Sequence, residues 1–357
     1  MLKVLIIEDS PPKREFLIHL LASAPDILII GAARNGDEAL EAVQRYRPDV
    51  IMIDINMPKM GGLETARRIM ETHPTPIVVV SGSAGLQEAL TTFRAMEAGA
   101  LALVGLPSGL ADPNHDIMAG ELLQTVKLMA EVKVVRRWPQ AKYHTTAARQ
   151  PGNISLTQET SRSKVIAIGA STGGPPVLQS ILAALPKNFS LPLLIVQHMA
   201  PGFVQGFVDW LSQSCSMPVH VARHGEYIIS GHVYVAPDEF QMKVEYGGKI
   251  LLTRDELKNG LRPSVAYLFR SIMEVYGSGS VACLLTGMGR DGAEELRLLK
   301  ETGAITLAQD KESSVVHGMP GEAIKLDAAR FVLPPEKIAA FLIEAAKKYE
   351  KVPLKNL

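Results

Sequence analysis

Three residue types that together hydrolyse esters stand just past three hydrophobic runs. Ser171 lies in Gly-Ala-Ser-Thr-Gly (169–173), directly after Val165-Ile166-Ala167-Ile168. His198 closes Leu193-Leu194-Ile195-Val196-Gln197-His198, and Asp291 sits in Thr286-Gly287-Met288-Gly289-Arg290-Asp291-Gly292, after the run from Val281 to Leu285. Short apolar runs alternating with helical patterns read as buried parallel strands, and open α/β sheets build their sites at the carboxyl ends of such strands. A hydroxyl, an imidazole and a carboxylate on one sheet edge have the types of a nucleophile, its base and the group that orients the base. The pattern predicts a serine hydrolase.

Each residue also has a plainer reading. G-x-S-x-G is a short motif, and the loop from Gly169 to Gly174 would equally suit a phosphate at a helix amino terminus. Against a dinucleotide site, the next strand ends in His198 where an acid would be needed for a ribose. Asp291 with Glu294 makes an Asp-x-x-Glu capping box for a helix over 293–300. An α/β-hydrolase order would require His317 as the base, although triads recur on unrelated folds in other orders. His220 and His224 are four apart, but residues 218–235 alternate like strands, so their spacing does not make a helical zinc face.

A second cluster lies near the amino terminus. Glu8 and Asp9 end a first strand, Asp54 ends a third within Asp54-Ile55-Asn56-Met57-Pro58, and Ser81 ends a fourth. Carboxylates so placed repel one another unless a cation or proton joins them, and oxygen ligands of this kind suit Mg²⁺. The Ser81 hydroxyl is placed to bond a phosphoryl oxygen.

The elements that must position these residues are legible from periodicity. Val4–Ile7, Leu28–Ala32, Val50–Ile53, Ile77–Val80 and Leu101–Val104 read as five buried strands, with amphipathic stretches at 37–46 and 63–70 and a closing helix over 115–133. From Arg136 to Ser163 the periodicity stops, as in an interdomain linker. Lys164 opens a second α/β region. The 357 residues therefore predict two doubly wound parallel-sheet domains joined by a linker, a flavodoxin-like one over 1–135 and a larger Rossmann-like one over 164–350, with the linker at 136–163. Lysine plus arginine and aspartate plus glutamate both number 37, which points away from nucleic acid. No apolar run reaches membrane-spanning length. Two cysteines without metal spacing, Cys215 and Cys283, and a first strand in place of a signal peptide make a reduced, cytoplasmic setting the expectation.

Residues 1–133 resemble the response-regulator receiver family, above all in Asp-Ile-Asn-Met-Pro-Lys-Met-Gly-Gly (54–62). The resemblance implies that Asp54 accepts a phosphoryl group from a histidine kinase, that Glu8, Asp9, Asp54 and the Asn56 carbonyl hold Mg²⁺, and that Ser81 is a switch hydroxyl. Two positions depart from the family: Leu106-Pro107 stands for Lys-Pro after strand five, and Leu103 for an aromatic switch residue. No other lysine follows strand five until Lys127. The pocket is thus expected to lack the usual strand-five lysine, whose hydrogen bond is worth about 1.5–3 kcal/mol, and to switch weakly.

Residues 164–345 resemble the chemotaxis protein-glutamate methylesterase family. The likeness rests on Ile168–Pro175, Gln197–Phe203, Val235-Ala236-Pro237, Arg262-Pro263-Ser264-Val265 and Leu285–Ala293. It implies hydrolysis of γ-glutamyl methyl esters on the cytoplasmic helices of methyl-accepting chemoreceptors, with deamidation of glutamines by the same chemistry. It also implies oxyanion donors in the backbone N–H groups of Thr172 and Met288, and no cofactor for the ester step. Around 262–265 the family often carries His before the Arg and Asp after the Val; here Leu261 and Ala266 stand. The competing expectation is a non-catalytic signalling module with a degenerate receiver.

Overall fold

The structure, a computed structural model, describes residues 1–57, 60–82, 86–107, 115–132, 134, 164–258 and 260–350. The expected linker at 136–163 lies outside them. These residues form two compact parallel-sheet units.

The first unit alternates strand and helix: β1 (Leu2–Ile7), α1 (Pro11–Ala22), β2 (Ile27–Ala33), α2 (Gly36–Tyr46), β3 (Val50–Asp54), α3 (Gly62–Thr72), β4 (Ile77–Ser81), α4 (Leu86–Glu97), β5 (Ala102–Gly105) and α5 (His115–Ala130). Its sheet has the order β2-β1-β3-β4-β5, with every pairing parallel. Helices cover both faces, so β3 and β4 are buried at every position. This is why they read as unbroken apolar runs. Leu5, Ile7, Ile51, Ile53, Ile77 and Val79 share one core with Ala39, Val43, Ala66 and Ile69 from α2 and α3. Each valine, leucine or isoleucine among them contributes about 1.5–3 kcal/mol by its burial. The strand order reverses between β1 and β3, and that crevice is where an open α/β sheet binds ligands.

The second unit contains β6 (Val165–Ala170), α6 (Gly174–Ala184), β7 (Leu193–Gln197), α7 (Val204–Ser212), β8 (Val219–Val221), β9 (Val233–Val235), β10 (Gln241–Glu245), β11 (Lys249–Thr253), α8 (Val265–Tyr276), β12 (Ser280–Leu284), α9 (Ala293–Glu301), β13 (Ile305–Gln309), α10 (Met319–Lys325), β14 (Phe331–Leu333) and α11 (Pro335–Glu350). The main sheet runs β14-β13-β12-β6-β7-β9-β8, with β10 and β11 forming a separate antiparallel pair. Its switch point lies between β12 and β6, the strands that precede Asp291 and Ser171.

One local expectation needs correction. The alternation over 218–235 gives strands only at its two ends, β8 and β9, which pair in parallel. A parallel pair needs a crossover connection, and the chain between them makes only an isolated antiparallel bridge, Tyr227 to Lys249.

Candidate active site and acidic pocket

Register brings the serine and histidine together. Ala170 on β6 pairs with Gln197 on β7, so Ser171 and His198 are the next residues on adjacent strands, and the His198 N–H donates to the Ala170 carbonyl at 2.9 Å. On the other side β12 pairs Leu284 with Gly169. Gly287 lies so close that a Cβ there would come within 2.7 Å of the Ser171 Cβ. Only glycine allows that approach. His198 Nε2 lies 3.0 Å from Asp291 Oδ2. Among the described residues no hydrogen bond joins Ser171 Oγ to His198, a looseness common before substrate arrives.

Asp291 is the most constrained group at this edge. Its carboxylate accepts from Ser264 Oγ at 2.7 Å, the Val265 N–H at 2.6 Å and the Ala266 N–H at 3.3 Å, besides His198. It therefore lies at the amino terminus of α8, where the helix dipole favours a negative charge. Burial pushes its pKa up, but the His198 hydrogen bond and charge, then Ser264 and Val265, outweigh this and hold the carboxyl below its ordinary value. The capping-box expectation is corrected: α9 has Gly292 as its N-cap with no side-chain cap bond, and the Asp291 carboxylate serves α8. His317 is no rival for Asp291; its Nδ1 faces Ser314 Oγ at 3.3 Å. His220 and His224 have separate partners, Glu226 and the Leu252 carbonyl.

Ionised Asp291 only accepts hydrogen bonds, so His198 Nε2 carries the proton toward it. In neutral imidazole the other nitrogen, Nδ1, is then bare and basic. Ser171, Thr172 and Met288 are partly exposed, and among the described residues the N–H groups of Thr172 and Met288 make no hydrogen bond. The Thr286 hydroxyl, 3.0 Å from the Thr172 carbonyl and accepting the Val316 N–H at 2.9 Å, fixes the loop that carries Thr172.

In the first unit, Glu8, Asp9 and Asp54 bring carboxylate oxygens within 4.8 Å of one another at the β1/β3 switch point. Glu8 and Asp54 are buried. Burial pushes Glu8 up to about 7; the Asp54 charge adds to the rise, while the Ser10 N–H and Lys13 oppose it. Three hard oxygen donors within 4.8 Å of one another fit a divalent cation such as Mg²⁺. Asp54 Oδ1 accepts the Asn56 N–H at 2.9 Å. A Cβ on Gly62, the first residue of α3, would lie 2.4 Å from the Asp54 carbonyl, so glycine is required there for packing. Ser81 ends β4, and its carbonyl accepts the Leu106 N–H at 2.9 Å.

Leu106 stands where the family has its strand-five lysine, but another lysine reaches the pocket. Lys13 Nζ, from the first turn of α1, lies 3.0 Å from Asp54 Oδ2. Burial works against its charge, yet the Asp54 hydrogen bond and the Asp54, Glu8 and Asp9 charges raise its pKa.

Comparison with known proteins decides the family. Residues 166–342 match the CheB methylesterase model, and residues 4–107 match the response regulator receiver domain. A protein-glutamate methylesterase/protein-glutamine glutaminase of Nitrosospira multiformis is 57% identical over 342 residues, 96% of each chain. One of Syntrophus aciditrophicus is 55% identical over 97% of this chain and 99% of its own. The chain belongs to the CheB methylesterase family. The crystal structure of the Thermotoga maritima CheB methylesterase catalytic domain, 39% identical, covers 51% of this chain and 98% of that domain with a TM-score of 0.50. The chain is thus a hydrolase of the methylesterase type with a receiver domain preceding the esterase.

Three supporting residues of this methylesterase escape sequence reasoning. Gln197, buried behind His198, donates from Nε2 to the carbonyls of both Ser171 and His198 at 2.9 and 2.8 Å. Ser264 holds Asp291, and Gln241 in turn accepts the Ser264 N–H at 2.8 Å while donating to the Glu256 and Leu261 carbonyls. Arg262-Pro263-Ser264-Val265 is visible as a motif, but nothing local ties it to Asp291. Of the two departures from the family pattern, Leu261 contributes a carbonyl to this relay and Ala266 is buried with its N–H toward Asp291.

Proposed function

We propose that the protein hydrolyses γ-glutamyl methyl esters on the cytoplasmic helices of methyl-accepting chemoreceptors, releasing methanol, and deamidates glutamine side chains there by the same route. The observation that carries the reading is the pair of half-buried His198 and buried Asp291, 3.0 Å apart, on the strand edge next to Ser171. Ser171 Oγ attacks the ester carbonyl while His198 Nδ1 takes its proton, and Asp291 holds the ring and stabilises the imidazolium. The tetrahedral oxyanion turns toward the N–H groups of Thr172 and Met288; each such donor is worth about 3 kcal/mol. The imidazolium proton then goes to the departing methoxide. Water, deprotonated by His198, cleaves the acyl-enzyme to free glutamate. For a glutamine substrate the leaving group is ammonia. No step needs a cofactor.

Control belongs to the first unit in this reading. Domains at 1–135 and 164–350, joined by the segment 136–163, would act as regulator and enzyme. A histidine kinase in the same cytoplasm supplies a phosphoryl group to Asp54. Glu8, Asp9, Asp54 and the Asn56 carbonyl would hold Mg²⁺, which when bound neutralises charge on the entering phosphoryl group, and Ser81 would bond its oxygen. The carboxylate cluster at one switch point supports this.

The test is methanol release from methylated receptor by wild type and Ser171→Ala. Loss of nearly all turnover with an unchanged melting temperature is expected. Equal turnover would refute the nucleophile assignment, and silence of both proteins would favour a signalling module without catalysis.

A further inference from the structure

The position after β5 that carries lysine in the resembling receivers holds Leu106, yet the pocket does not lack an ammonium group. Lys13 reaches it from the opposite side, out of the first turn of α1 rather than out of the β5 loop. The reason is local: α1 begins just after the acidic end of β1, with Pro11 and Pro12 at its start, so its first-turn side chains overhang the carboxylates. Lys13 Nζ lies 3.0 Å from Asp54 Oδ2. The two side chains also converge on one spot. A Cβ built on Gly82, the residue after Ser81, would lie 3.5 Å from Leu106 Cδ2, 3.6 Å from Lys13 Cε and 3.7 Å from Lys13 Nζ. Leucine at 106 thus fills space beside the ammonium delivered by Lys13.

We propose that Lys13 takes over the role of the missing strand-five lysine: it binds the phosphoryl group on Asp54 and secures phosphorylation of this receiver. The inference rests on Asp54 being the phosphoryl acceptor. Charge makes the case. A phosphoryl group joined to Asp54 brings about two negative charges to a site already walled by Glu8 and Asp9. Lys13 is already at the reacting carboxylate, and its flexible stem, with 39% of the side chain exposed, lets the ammonium follow the charge outward. With acetyl phosphate as donor, an Asp54 oxygen attacks phosphorus and a new P–O bond forms. The old P–O bond breaks, and its electron pair leaves with acetate. Lys13 keeps its proton throughout and exchanges the Asp54 oxygen for a phosphoryl oxygen.

The test uses the full chain with Mg²⁺ and compares wild type, Lys13→Met, and Lys13→Met combined with Leu106→Lys. Trifluoroberyllate affinity by calorimetric titration and phosphorylation by acetyl phosphate are measured, with Mg²⁺ affinity measured separately. Lys13→Met is expected to weaken trifluoroberyllate binding roughly 10- to 100-fold, the range of a charge-assisted hydrogen bond. Mg²⁺ binding should stay equal or tighten, because the competing ammonium is gone from Asp54. Adding Leu106→Lys should restore trifluoroberyllate binding, since both side chains reach Gly82. Unchanged binding in Lys13→Met overturns the proposal while leaving Asp54 as acceptor. Parallel loss of Mg²⁺ and trifluoroberyllate, or a loss that Leu106→Lys does not repair, overturns it by assigning Lys13 a packing role. If wild type itself takes neither trifluoroberyllate nor phosphoryl, the acceptor reading fails and the proposal with it.

Discussion

The two strand-end sites are assembled from the same material, carboxylates at the switch point of a parallel sheet, and differ in how their charge is met. Asp291 receives four donors from the fold itself, from His198, Ser264, Val265 and Ala266, and its carboxyl is held below its ordinary value. Glu8 shares its crevice with Asp9 and Asp54, and burial pushes it up to about 7. A carboxylate whose partners are all supplied by the chain is preorganised and ready to act. Carboxylates that mainly face one another leave a need for cations, so their state depends on what binds. The esterase edge is built as a fixed device and the acidic pocket as a conditional one.

The comparison breaks most visibly at Asp291. Asp291→Asn should lower kcat by about 10⁴-fold by presenting an amide to His198. It should also cost about 3 kcal/mol, because a buried charge-assisted network loses its acceptor; steady-state methanol release and denaturant melts read the two effects apart. Next in size is Gln241→Leu, which removes the acceptor of the Ser264 N–H and the donor to the Glu256 and Leu261 carbonyls. About 2 kcal/mol of stability should be lost, and kcat should fall about 10-fold as Ser264 and Asp291 loosen. Intact kcat in that variant would show that the relay is not needed for positioning.

The pocket sharpens the contrast by its response to ions. Millimolar Mg²⁺ should stabilise wild type by about 1 kcal/mol, the linkage expected at a few times the dissociation constant. Chelation should reverse this, and Asp54→Ala should be insensitive in calorimetry. The smallest effect is acid stability. Asp291 has a folded pKa below its unfolded value, so its contribution is complete above the unfolded value, near pH 4, and is lost as pH falls through the folded one. Unfolding midpoints should therefore drop less steeply in Asp291→Asn than in wild type as pH falls below about 4, and run parallel above it.

Much of this architecture is legible in the residue pattern. All five strands of the first unit fall within two residues of their expected ends, because runs such as Val50–Ile53 have no polar face and fit only a sheet covered on both sides. The supporting residues are not legible in the same way. Gln241 is a polar residue at a strand start and Ser264 one hydroxyl among many; each acquires its meaning from a partner 23 or 27 positions away on another element. The plainer reading of Asp291 as a cap for α9 is locally sound and falls to a longer-range competitor, the start of α8.

By itself the sequence determined which chemical groups stand at strand ends, since apolar runs bury themselves and leave their polar successors at the sheet edge. Only the tertiary structure decided which of those groups meet. Lys13 and Asp54 lie 41 residues apart, and no periodicity links them. They meet because β1 and β3 are neighbours in the sheet, and α1 must start where β1 ends. Strand identity is a local consequence of hydrophobic burial, whereas strand order and helix placement are properties of the whole packed sheet.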